Sequence, residues 1–77
     1  MMHFRWKSMR YGDKMKVRKV ITLIEADGWF WLRTKGDHRQ YHHPRKPGTV
    51  TVAGKLSVDV PAGTLNGILK QAGLKGD

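Results

Sequence analysis

The sequence predicts a small α+β domain of order α-β-β-β-α, with two helices on one face of a three-stranded antiparallel sheet. Two stretches space apolar residues at i, i+3, i+4 and i+7, the stripe of an amphipathic helix: Val17, Val20, Ile21 and Ile24, then Leu65, Ile68, Leu69 and Ala72. Between them lie short runs rich in aromatic and β-branched residues. Glycine-bearing turns at Lys35-Gly36-Asp37 and Arg45-Lys46-Pro47-Gly48 punctuate those runs. Such an arrangement covers one sheet face and leaves the other at least partly open to solvent.

Taken in order, residues 1–14 mix Phe4, Trp6 and Tyr11 with Arg5, Lys7, Arg10 and Lys14 without clean periodicity. They read as a basic, aromatic extension, with residues 15–77 forming a single domain. The first helix is expected from Met15 to Asp27, with Asp13 as a candidate N-cap and Gly28 as its stop. All four residues of its stripe are β-branched, which weakens its propensity, so it depends on a sheet beneath it. Trp29 to Thr34 is the first strand; bulky apolar residues fall on both parities, and most of them are assigned to packing. Gly36 supplies a positive φ where the hairpin needs one. His38 to His43 forms the second strand, which Pro44 ends, and Thr49 to Val52 the third. Ala53 to Val60 either prolongs the sheet or forms an extended loop. Pro61 opens the last helix, and Gly73 with Leu74 closes it with a glycine cap and a hydrophobic contact.

Size and charge limit what such a domain can do. A chain of 77 residues buries about 60% of its unfolded surface, which favours an open surface or groove over an enclosed pocket. Fifteen Lys and Arg against six Asp and Glu give +9, of which +6 belongs to residues 15–77. That field favours polyanions. The absence of cysteine removes disulfides, thiolate zinc and thiol catalysis. No apolar run approaches the roughly 20 residues of a transmembrane helix, and no membrane partner is expected. The chain reads as cytoplasmic.

Candidate chemistry lies in Thr34 to Pro44, which holds three of the four histidines. On a strand, His38 and His42 stand about 13 Å apart at roughly 3.3 Å per residue, which disfavours a shared metal ion, and no cofactor is expected. Acid-base chemistry fits better. A histidine at a turn-to-strand junction exchanges protons near neutrality, and Arg33, Lys35, Arg39 and Lys46 are close enough in sequence to steady a phosphate. RNA supplies its own 2′-hydroxyl nucleophile, so proton transfer and charge stabilisation suffice. Against this stand a non-catalytic RNA-binding module and a basic protein that binds an acidic one.

At these residues the chain resembles a known family. Gly28-Trp29, Arg33-x-Lys35-Gly36-Asp37-His38-Arg39-x-Tyr41-x-His43-Pro44, the Thr49-Val50-Thr51-Val52 strand and Pro61-x-Gly63-Thr64-Leu65-x-x-Ile68-Leu69-Lys70-Gln71-Ala72-Gly73-Leu74 are similar to the HicA family of small bacterial toxins. The resemblance implies a fold like the double-stranded RNA-binding domain and an mRNA interferase, an endoribonuclease that halts translation and growth. It implies a HicB antitoxin that masks the site, with DNA contacted only through that partner. The family's catalytic histidine carries over to His38 and its glycine to Gly36. His38 is then the general base on the 2′-hydroxyl or the acid for the leaving oxygen, with Lys35 and Arg39 on the phosphate. Water, His42 or a lysine is left as its proton-transfer partner. Asp37 departs from the family's more usual serine, and Ala53-Gly54-Lys55 stands where members more often have proline and histidine.

Overall fold

The computed structural model describes residues 15–75; the expected extension at residues 1–14 lies outside them. Strand β1 (Met15–Lys16) leads into helix α1 (Val17–Ala26), followed by β2 (Phe30–Lys35), β3 (His38–His42), β4 (Val50–Ala53), β5 (Asp59–Val60) and helix α2 (Ala62–Gln71). The main sheet has the order β2-β3-β4 and is antiparallel throughout, and the α-β-β-β-α arrangement is that of the double-stranded RNA-binding domain. A second, two-residue ladder joins β1 to β5.

Val17, Val20, Leu23 and Ile24 are the buried residues of α1. Ile21, expected on the stripe, is half-buried and packs against the core edge, while Leu23 is buried outside the main core cluster. The expected stripe of α2 is buried as read: Leu65, Ile68, Leu69 and Ala72. Both stripes meet Tyr41, Val50 and Val52 in one core, which puts both helices on the same face of the sheet.

The start of α1 differs from expectation. Its N-cap residue is Lys16, which makes no side-chain cap. Instead, the free N–H groups of Val17 and Arg18 donate to the carbonyls of Val58 (2.9 Å) and Leu56 (3.1 Å). Remote backbone therefore does the work expected of Asp13, satisfying donors that a helix leaves open in its first turn. The stretch from Ala53 to Val60 is divided accordingly: Ala53 ends β4, a turn caps α1, and Asp59–Val60 clips onto Met15–Lys16.

Both helices end in the same way. At α1, Gly28 (φ 110°) donates to the Glu25 carbonyl and Trp29 to that of Ile24. At α2, Gly73 (φ 72°) donates to Lys70 and Leu74 to Leu69. This paired pattern needs a left-handed residue that glycine supplies without a Cβ penalty. In the first case it also turns Trp29 into the core, where it is 2% exposed, so β2 begins one residue later than expected.

The two helix ends are bound together. Trp29 Nε1 donates to the Ala72 carbonyl at 3.2 Å, and Lys46 Nζ donates to that same oxygen at 3.0 Å and to Asp27 Oδ2 at 2.5 Å. His43 Nε2 lies 2.8 Å from the Asp27 carbonyl, while its Nδ1 accepts from the N–H groups of Arg45 and Lys46. Cationic and N–H donors thus meet two carbonyl-rich helix C-termini, the sign that a helix dipole favours there.

Candidate functional site

The site is built on the sheet face that the helices leave open. The β2–β3 connection is a two-residue loop, Gly36-Asp37, closed by the pair Lys35 and His38. Gly36 has φ 62° while Asp37 stays at negative φ. Glycine first with positive φ is the pattern of a type II′ turn, whose twist matches that of the strands it joins.

Residues directly opposite in an antiparallel ladder share a face. Tyr41 and Val50 are paired, as are Arg39 and Val52, and these point to the helices. His38, Gln40 and His42 therefore lie on the open face, opposite Ala53, Thr51 and the approach to β4. Across the other side of β3, Lys35 pairs with His38, Arg33 with Gln40, and Phe30 with His42.

That last set is possible only because β2 is irregular. Trp31 pairs with Tyr41 and Arg33 with Gln40, leaving Leu32 as an extra residue, a β-bulge. Strict alternation would have separated Phe30 from Arg33 and Lys35. With the bulge, all three join His38, Gln40 and His42 in one field, while Trp31 and Thr34 share the opposite face, where Trp31 Nε1 donates to Thr34 Oγ1 at 2.8 Å.

His38 sits at the turn end of this field, its side chain 58% exposed. Its Nδ1 is 3.1 Å from Oδ1 of Asp37. This is a close contact between two exposed groups and not an aligned hydrogen bond. Gly54 N–H donates to the Asp37 carbonyl at 3.2 Å, tying the turn to the end of β4. At the other end of the face, His42 Nε2 and Thr49 Oγ1 form a 3.0 Å hydrogen bond.

Of the residues expected to act together, Arg33, Lys35, His38 and His42 are gathered on one face, with Gly36 and Asp37 forming the turn beside them. Arg39 and Lys46 are not. Arg39 points to the helix side and donates from Nη1 to the Gly54 carbonyl at 2.7 Å. Lys46 lies in the β3–β4 loop with Asp27 and Ala72 as its partners. Adjacency in sequence suggested phosphate contacts for both, but strand parity and helix-end packing give them other work.

His43 is a second residue whose setting the sequence did not reveal. Its side chain is 7% exposed and Nε2 is 3.8 Å from Asp27 Oδ2, a His–Asp pair that looks catalytic at first sight. The shorter contact, however, is to the Asp27 carbonyl, and the Asp27 carboxylate is held more closely by Lys46. With both ring nitrogens engaged by backbone and its ring edge-on to Trp29 at 5.2 Å, His43 fixes the helix ends rather than facing the open sheet. Gly28 completes the fit, since a Cβ there would come 2.8 Å from His43 Nε2.

The described residues contain no group of three or more His, Asp or Glu placed to hold a metal ion, and no helix among them is long and apolar enough to cross a membrane. Comparison of the chain with curated proteins gives no significant match. A family model does match, over residues 17–74, and its description is the HicA toxin of bacterial toxin-antitoxin. The match runs from the first residue of α1 through the glycine cap of α2 and takes in the whole open face: the chain belongs to the HicA toxin family.

Proposed function

We propose that this toxin is a metal-independent endoribonuclease that cleaves mRNA on the open sheet face, with His38 as its proton-transfer group. One observation carries the reading: an exposed histidine, its Nδ1 3.1 Å from the Asp37 carboxylate, stands directly opposite Lys35 on a face that also bears Arg33. RNA laid across this face presents a phosphate to Lys35 and Arg33 and the neighbouring 2′-hydroxyl to His38 Nε2. Removing the hydroxyl proton generates the attacking oxygen, which displaces the 5′-oxygen of the next nucleotide. The cations meet the charge gathering on the phosphate, a stabilisation that needs no metal in a preorganised site.

The leaving oxygen needs a proton. His42 is on the same face but at the other end of β3, on the order of 13 Å away at the rise of a strand, so water or Lys35 serves better. Arg39 acts by positioning, holding Gly54 and through it the turn. A HicB-like antitoxin is the protein partner in this reading. The face it masks is positive and open, and an acidic surface is its natural complement. The compartment is the cytoplasm, where mRNA is translated, and any DNA contact belongs to the antitoxin complex.

The test is induction of the unsubstituted chain against His38→Ala, with RNA ends mapped and folding checked by circular dichroism. Growth arrest and new RNA ends are expected from the former and neither from the latter. Equal cleavage by both purified proteins would remove His38 from the chemistry. RNA binding without cleavage by either would make the chain an RNA-binding module.

A further inference from the structure

Phe30 is 47% exposed on the same face as the proposed catalytic histidine. We infer that Phe30, opposite His42 on the open face, is a stacking platform for a nucleobase of single-stranded RNA, setting where the strand sits relative to His38. This rests on the ribonuclease reading above and adds to it a residue that holds a base instead of a phosphate.

Phe30 lies at one end of a ladder whose successive pairs are Phe30 with His42, Arg33 with Gln40 and Lys35 with His38. The two ends are separated by about 13 Å along β3, a length that a few nucleotides of extended strand span. Cations occupy the middle and the catalytic end, so backbone phosphates follow them and leave a base at Phe30. A single exposed ring is ordinary on a protein surface; what marks Phe30 is that its face also carries Arg33, Lys35 and His38. A base has an apolar π-face that such a ring accepts whatever its identity. The bulge at Leu32 strengthens the case, since it brings the ring onto the cationic face. An acidic protein would also be drawn to the cations, but an aromatic ring sharing a face with two cations and a histidine suits a strand of RNA better.

The probe is an unstructured 2′-O-methyl oligonucleotide, which lacks the free hydroxyl and stays intact. Phe30→Ala is expected to weaken its binding roughly 5- to 100-fold, the worth of one stacked base. Phe30→Tyr and Phe30→Trp should keep affinity, whereas Phe30→Leu, apolar but without a π-face, should behave like Ala. The dependence of log affinity on log salt should keep its slope in all four, because no phosphate contact is lost, while Lys35→Ala should flatten it. Cleavage positions on natural RNA should become more diffuse in Phe30→Ala. Unchanged binding by Phe30→Ala, or equal binding by Phe30→Leu and Phe30→Tyr, would overturn the assignment, as would a loss confined to binding of an acidic antitoxin. Failure of the unsubstituted chain to bind the probe would instead overturn the RNA reading itself, and Phe30's part with it.

Discussion

At the scale of single residues, Asp37 stands beside the histidine proposed to transfer protons. Its carboxylate lies 3.1 Å from His38 Nδ1, an exposed contact worth little to stability. Asp37→Asn should therefore fold normally and lose on the order of 10-fold in cleavage rate, read as kcat on a short RNA with KM nearly unchanged. A full-rate Asn variant would show that the ring needs no such partner. Tyr41 offers a pH test of the core. Burial raises its phenol pKa above 10.0, Glu25 raises it further, and Arg39 lowers it. The folded state thus holds the proton more tightly than the unfolded chain. That contribution is whole below the unfolded value and is lost as pH rises through the folded one. Thermal midpoints recorded across the alkaline range should fall more steeply for the unsubstituted chain than for Tyr41→Phe, with lysine titration common to both. Parallel curves would contradict the assignment.

At the scale of elements, the joint between the helix ends can be measured through Lys46. Lys46→Ala leaves the Asp27 carboxylate half-buried without its cation and the Ala72 carbonyl short of a donor. The cost should be about 1–2 kcal/mol, seen as a lower denaturant midpoint with RNA cleavage retained in the folded fraction. Loss of cleavage at unchanged stability would return Lys46 to the site. The elements also show what a sequence reveals. Helical stripes at Val17 to Ile24 and Leu65 to Ala72 were legible because their period is local, and so were the glycine caps. The burial of Leu23 beside that stripe was not, because it depends on how the rest of the chain packs around the helix. The bulge at Leu32 leaves no mark in the sequence, yet it decides the faces of Phe30, Arg33 and Lys35. For that reason His38 could be found by its neighbours in the chain, whereas Phe30, Arg39 and Lys46 required the strand pairing.

At the scale of the molecule, charge alone does not locate the site. Lys16, Arg18 and Lys19 lie exposed around α1, so the helical side is basic as well. What distinguishes the open face is that cations, an imidazole and an aromatic ring share it. The core is likewise a property of the whole: Val17 to Ile24 supply one side and Leu65 to Ala72 the other, with Val60 between. A chain ending at residue 60 lacks Leu65, Ile68, Leu69 and Ala72 and should show no cooperative thermal transition. A folded fragment by circular dichroism would mean that α2 is dispensable. The clip between Met15–Lys16 and Asp59–Val60 extends this to synthesis. Contacts so distant along the chain are made late, after the loop between them has been paid out. On the ribosome, α1 waits for residues 56–58 to cap it and the sheet waits for α2 to cover it. A stalled or half-translated copy is therefore inert, and the toxin's activity begins only when nearly the whole domain has emerged.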